Sequence, residues 1–277
     1  MIPAAFEYKK VHTVEEAIAS LAQEDSKLLA GGYSLIPSMK LRLNQTSLLI
    51  DIGDIPDLNG IREEDGEIVI NAGTTHHDIL FNDLIQNKLP FFHQAASMIG
   101  DEQVRNRGTI GGSLAHADPA ADWPALVLAA DATIEVAGPD GKKSLKATEF
   151  FTGLFSTALQ ENEIITAIRI PVPAEGFKSV YLKFENPASR FAIVGCAVLR
   201  YPDRKTNIAF TGLAEFAFRD AGAEQVFSGK VIDEAIINEA VNASLTGINT
   251  LSDNFASEEY RSHLARVYLK RALQEVA

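Results

Sequence analysis

Two short glycine-rich stretches are the residues best suited to chemistry. Ala30-Gly31-Gly32-Tyr33-Ser34-Leu35 closes the apolar run Lys27-Leu28-Leu29-Ala30, and Gly108-Thr109-Ile110-Gly111-Gly112-Ser113 precedes Asp118, Pro119 and Asp122. Glycine carries no Cβ, so backbone N–H groups there can approach a ligand oxygen directly. Ser34 is placed to cap the segment Leu35 to Leu43, which would gather donors and a helix start at one spot. The second stretch repeats that chemistry, and two such turns suit a pyrophosphate better than a lone phosphate. On pattern alone, the pair is equally compatible with two structural turns that need positive φ.

Neither turn follows the usual templates. There is no G-x-G-x-x-G after a strand and no G-x-x-x-x-G-K-[ST]. Other candidates carry less. His76 and His77 are adjacent, so on a helix they point about a hundred degrees apart and make a poor chelate. With no H-E-x-x-H either, a zinc site is not expected. His116 and Asp118 read as residues that order their loop, Arg105 and Arg107 as solvated cations, and Trp123 as core. No serine, cysteine or carboxylate pair presents a nucleophile or an acid–base constellation.

Composition narrows the partners. The chain has 277 residues, 46% hydrophobic and 22% charged, the balance of a globular protein with ample surface for a core. A formal net charge of -12 argues against nucleic acid or an anionic membrane, and an anionic ligand must be held by local donors against that field. Cys196 is the single cysteine, which leaves no disulfide framework and no cysteine-held cluster. Its neighbourhood, Ala192 to Val198, reads as a buried strand. No apolar stretch approaches a membrane span and the first ten residues have no leader-like apolar run, so a cytoplasmic protein is expected.

The elements that must position the turns alternate between helix and strand for two-thirds of the chain. Thr13-Val14-Glu15-Glu16 is a capping box opening a helix through Leu21. Lys27–Ala30, Leu48–Ile52 and Glu67–Ala72 read as strands. Thr75 opens a further helix expected to run through Ile85. Pro124–Ala130 reads as a helix, Thr133–Ala137 as a strand, and Pro139-Asp140-Gly141 as a hairpin turn. Ile164–Ile170 is strand-like and ends at Pro171-Val172-Pro173, the expected domain boundary. Beyond it, Val180–Phe184, Phe191–Arg200 and Ile208–Leu213 read as strands of an antiparallel sheet, backed by two closing helices. The last helix, from Ser257, is expected to pack through Tyr260, Leu264, Val267 and Tyr268, with Arg261 elsewhere.

Taken together, Ala30–Leu35 with Pro37, then Val104–Ser113, Asp118-Pro119-Ala120-Ala121-Asp122 and Ala256–Leu264, resemble the FAD-binding medium subunit of molybdenum hydroxylases, the carbon monoxide and xanthine dehydrogenase relatives. The resemblance runs from Phe6 to the final helix. It implies an α+β fold: a two-part α/β FAD-binding domain of the PCMH type over 1–173, divided at about residue 55, and a carbon monoxide dehydrogenase flavoprotein C-terminal domain over 174–277. It implies FAD held by Ala30, Gly31, Gly32, Tyr33, Ser34 and Leu35 and by Thr109, Ile110, Gly111, Gly112 and Ser113. Asp122 falls where the family has an FAD-contacting aspartate, Ile165 at an apolar contact and Lys183 at a lysine near the flavin. Tyr33 departs from a histidine common in the family, and Asn186–Phe191 from an aspartate before the phenylalanine. The implied role is electron transfer from a small 2Fe–2S subunit, fed by a large molybdopterin subunit, to a terminal acceptor. A self-contained FAD oxidoreductase and a non-redox binding protein are the alternatives.

Overall fold

The computed structural model describes residues 1–227 and 229–277. The first unit is a three-stranded parallel sheet with Leu48–Asp51 in the centre, flanked by Glu7–Lys10 and Ser26–Leu29. Thr13 starts the helix Val14–Leu21 by accepting from the Glu16 amide at 3.1 Å, while the Glu16 carboxylate accepts from the His12 amide at 2.8 Å. Val11, Ala17, Leu21 and Ile50 then close a small core under that helix.

The second unit is an antiparallel sheet of five strands in the order Ile61–Glu64, Glu67–Asn71, Ile164–Pro171, Thr133–Gly138, Gly141–Lys146. The expected hairpin joins its last two strands, with Gly138 opposite Gly141. Helices between Thr75 and Ala130 cover one face, so that Phe91, Phe92, Trp123 and Leu126 pack on Ile68, Ile134 and Ile168. The helix expected from Thr75 to Ile85 is interrupted: His76–Leu80 stops, and Asn82 restarts the chain by accepting from the amides of Leu84 and Ile85. The helix Pro90–Met98 has no counterpart in the sequence reading.

The third unit is an antiparallel meander of Lys178–Glu185, Ala192–Arg200, Thr206–Thr211 and the short Phe218–Arg219. One face, with Tyr181, Ala197, Leu199 and Ala209, joins the core of the second unit. The other, with Val194, Cys196, Val198 and Phe210, packs on the helices Ala221–Phe227, Glu234–Ala243 and Glu258–Glu275. Burial on both faces explains the unbroken apolar run around Cys196. It also pushes the Cys196 thiol far up, so this sulfur is an inert packing group. The helix Ala221–Phe227 comes in addition to the two closing helices expected. Among the described residues no helix is long and apolar enough to cross a membrane.

The last helix is turned differently from expectation. Tyr260 is 44% exposed, whereas Arg261 is 5% exposed and faces inward. Its guanidinium donates to the carbonyls of Ile193 at 2.7 Å and Gly212 at 2.6 Å, and pairs with Asp253 at 2.5 Å. Apolar periodicity misplaced the face because a buried cation is tolerated where its two terminal nitrogens find carbonyls and a carboxylate, even though its Nε has no partner.

Both carbonyls belong to residues at the junction with the second unit. There Gly212 N–H donates to Pro119 at 2.7 Å and Ala192 N–H to Ala120 at 3.1 Å. Arg261→Met should strand two buried acceptors and destabilise the fold by on the order of 3 kcal/mol, given ~1.5–3 kcal/mol per charged hydrogen bond. The urea midpoint should fall accordingly, with Arg261→Lys between Met and parent. A methionine variant as stable as the parent contradicts this role.

Candidate functional site

The two glycine turns meet. A Cβ on Gly31 would fall on the carbonyl oxygen of Arg107 and 2.8 Å from the Cα of Gly108, so backbone touches backbone at this seam. Gly32, at φ +79°, then turns the chain into the helix Leu35–Lys40. A cleft of about 490 Å³ opens along the seam.

The turns contribute unequally. Among the described residues the amides of Gly31, Gly32, Tyr33, Ser34 and Leu35 donate to no acceptor of the chain, the first such bond being Ile36 N–H to the Gly32 carbonyl at 3.0 Å. Ser34 does not cap this helix as expected: its φ of -101° and ψ of -47° continue the turn, and its side chain accepts nothing. In the second turn the amides from Ile110 onward are taken. Ile110 donates to Thr74 at 3.1 Å, Gly111 to Ala72 at 2.8 Å, Gly112 to the Thr109 hydroxyl at 3.1 Å and Ser113 to the Thr109 carbonyl at 3.0 Å. Gly111 lacks a Cβ for packing, since one would lie 2.7 Å from the Ala72 carbonyl oxygen. Gly112 faces the opposite wall, its Cβ position 3.9 Å from that of Ala30. The first turn therefore supplies donors, and the second a smooth wall with the Ser113 hydroxyl on it.

Of the residues singled out in the sequence, Ala30, Gly31, Gly32, Tyr33, Ser34, Leu35, Thr109, Gly111, Gly112, Ser113, Asp122 and Ile165 line the cleft. Ile110 does not; it is fully buried in the core of the second unit, as the first helical residue after the Thr109 cap. Lys183 does not line it either. Its ammonium, 1% exposed, lies 3.0 Å from Asp122 and donates to the Met98 carbonyl at 3.0 Å, while Tyr181 O–H donates to Asp122 at 2.5 Å. Burial pushes the Asp122 carboxyl upward, and Lys183 and Tyr181 oppose that shift. The group is a buried ion pair joining the second and third units, and removing one member of such a pair costs about 3–5 kcal/mol.

Residues not expected to hold the cofactor complete the walls. Ile99 and Gly100 line the cleft together with Ser189, Arg190 and Phe191, and the Arg190 guanidinium donates to the Gly100 carbonyl at 3.4 Å. Arg105, expected to be solvated, donates to the Ile99 carbonyl at 3.1 Å and so orders this edge. His116 lines the cleft with its ring centroid 5.2 Å from that of Phe155, and Asp118 orders its loop by accepting from Ala120 N–H at 2.8 Å. His76 and Trp123 also line the cleft, with Trp123 Nε1–H donating to His76 Nδ1 at 3.1 Å. No local sequence signal marks this pair, because its members are 47 residues apart.

An open row of amides, a glycine wall bearing one hydroxyl and a cleft of about 490 Å³ fit a dinucleotide with a pyrophosphate at the seam. The FAD binding domain in molybdopterin dehydrogenase matches residues 4–173, and the CO dehydrogenase flavoprotein C-terminal domain matches 179–276. The chain belongs to the FAD-binding subunits of the molybdenum hydroxylase family, and FAD is its cofactor. It is 40% identical to the carbon monoxide dehydrogenase medium chain of Hydrogenophaga pseudoflava, over 99% of this chain and 97% of the other. It is 36% identical to the glyceraldehyde dehydrogenase medium chain of Sulfolobus acidocaldarius, over the full length of both. The solved structure of carbon monoxide dehydrogenase from Hydrogenophaga pseudoflava superposes with a TM-score of 0.96, covering 100% of this chain and 98% of that one.

Burial and the charge of Arg105 lower the His76 pKa from 6.5 to about 3. Below pH 6.5 the unfolded chain takes up a proton that the native imidazole refuses. The stability this site contributes is thus complete above pH 6.5 and is lost as pH falls toward 3, by roughly 1.4 kcal/mol per unit while the unfolded state binds one more proton. Urea midpoints of the apo protein between pH 6.5 and 4.5 should fall more steeply for the parent than for His76→Phe. Parallel profiles contradict the assignment of that proton to His76.

Proposed function

We propose that this chain holds FAD across the seam of its two glycine turns and serves as the flavin-carrying electron-transfer subunit of a molybdenum-containing dehydrogenase. Ala30–Leu35 donate amides to the pyrophosphate, Thr109 and Ser113 add hydroxyls, and Gly111 and Gly112 keep side chains out of the way. Asp122 and Ile165 contact the cofactor, and Lys183 acts through Asp122, whose orientation it holds. Electrons arrive from a small 2Fe–2S subunit, itself fed by a large molybdopterin subunit, and leave to a terminal acceptor.

The observation that carries this reading is the run of open amides from Gly31 to Leu35. These backbone donors have no acceptor in the chain and line an accessible cleft, so they are free to take the oxygens of a ligand. In a chain with a net charge of -12, neutral donors concentrated at one point are how an anion can be held. Bound there, the flavin supplies the redox chemistry and the protein supplies binding, orientation and shielding. The relatives' designation as medium chains of dehydrogenases supports the partner assignment.

Gly112→Val tests the placement. Two methyl groups would fill the space facing Ala30, and losing two charge-assisted hydrogen bonds of roughly 1.5–3 kcal/mol each should weaken FAD binding a hundredfold or more. A Cβ there also comes 2.8 Å from the Thr109 cap hydroxyl, so the apo urea midpoint should fall by the worth of one cap, ~0.5–2 kcal/mol, and less than the loss in FAD binding. Parent-like FAD affinity in this variant would remove the pyrophosphate from the seam. For the partner assignment, the chain purified from its host should bring an iron–sulfur protein and a large molybdenum protein with it. Full substrate turnover by the chain alone contradicts that assignment and favours a self-contained oxidoreductase.

A further inference from the structure

His76 is a histidine without a metal, an acid–base partner or a place on the surface. It is 5% exposed and lines the cleft beside Gly31, Gly108 and Thr109. Its backbone amide donates to the Gly108 carbonyl at 2.9 Å, which pins the residue to the second turn. An indole N–H can only donate, so the bond from Trp123 Nε1 at 3.1 Å makes Nδ1 an acceptor and leaves the imidazole proton on Nε2. Nε2 lies against Gly108: a Cβ on that glycine would come 2.7 Å from it. Among the described residues Nε2 has no hydrogen-bond partner, and it is not sealed from solvent. The protein has thus fixed one tautomer, kept it neutral, and left its only donor without a partner in the chain, beside Gly108 on a residue that lines the cleft.

With no partner in the chain, that donor is available to a ligand that enters the cleft. We propose that His76 Nε2–H is a binding group for the cofactor, donating a hydrogen bond to an oxygen of the FAD pyrophosphate, with Trp123 as the residue that sets its tautomer. A neutral donor has a physical advantage at this position. It needs no counter-charge in a buried site, and burial keeps Nδ1 unprotonated, and so able to accept from Trp123, down to about pH 3. Gly108 is then explained as well, since any side chain there would displace the imidazole.

This inference rests on FAD lying in the cleft, and the experiment separates the two. Asparagine places its amide near the position of Nδ1 and can still accept from Trp123, but it loses the outer donor. Glutamine reaches the position of Nε2 and keeps that donor at the expense of the Trp123 bond. FAD and ADP affinities are measured by titration for the parent, His76→Asn, His76→Gln and Gly112→Val, together with apo urea midpoints. Nitrogen-15 spectra of the parent report the histidine tautomer.

The expected result is an Nε2–H tautomer at pH 7 and about a tenfold loss of affinity for both ligands in His76→Asn. His76→Gln should bind FAD within threefold of the parent but unfold at lower urea. Parent-like FAD binding by His76→Asn overturns the inference, as does an Nδ1–H tautomer or an equal loss in the two variants. A loss for FAD with ADP unaffected overturns the pyrophosphate as the acceptor. If Gly112→Val loses FAD while His76→Asn does not, the cleft reading stands and only the role of His76 falls. If neither loses FAD, the cleft reading fails as well.

Discussion

The structure is organised around one close approach, the contact between the Gly31 backbone and the Arg107–Gly108 backbone. No side chain fits between them, so the small parallel sheet and the antiparallel sheet, which share a core through Ala137 and Ile164, meet here main chain to main chain. Main chain is also what an anionic cofactor needs there, because it offers N–H groups without a Cβ in front of them. The division of labour between the turns follows from their neighbours. The first turn leaves a three-stranded sheet and has nothing to donate to. The second is stitched by Ile110 and Gly111 to the carbonyls of Thr74 and Ala72, so its amides are spent on holding the wall in place.

The third unit closes on the segment between the second turn and the helix Trp123–Ala129. Ala192, Thr211 and Gly212 grip the carbonyls of Pro119, Ala120 and Ala121 with bonds of 2.7–3.1 Å. Tyr181 and Lys183 fix Asp122 at the end of that segment. Arg261 holds the gripping residues from behind through Ile193 and Gly212. A chain of contacts thus runs from the last helix to the cleft, and the cleft's shape depends on the docking of all three units. Beyond Asn207 and Arg219, which tie Ala129 and Asp131 to the same sheet, these contacts are directed polar bonds on an apolar core, which sets orientation more sharply than area alone.

Much of this was legible locally. The Thr13 and Thr75 caps, the Pro139–Gly141 hairpin, the apolar run through Cys196 and both glycine turns are short-range patterns, and the structure places each where its residues are. What escaped depends on partners distant in sequence. Asn82 looks like any polar residue within a helical pattern until its capping of Leu84 and Ile85 is seen. Lys183 sits in the right strand but turns to Asp122, 61 residues away, rather than into the cleft. Ile110 shares a motif with Gly111 and Gly112, yet helical geometry sends it into the core. Arg261 reads as surface and is buried, because two carbonyls and Asp253 await it. His76 reads as one of two adjacent histidines, and only the fold brings Trp123 to it.

The central claim is that one turn donates and the other supports. Amide hydrogen exchange, followed residue by residue with and without FAD, tests it directly. The account predicts fast exchange at Gly31 to Leu35 in the apo protein and marked slowing when FAD binds, with Ile110 to Ser113 already slow in both states. Slow apo exchange across Gly31 to Leu35, or exchange there that FAD leaves unchanged, would contradict it.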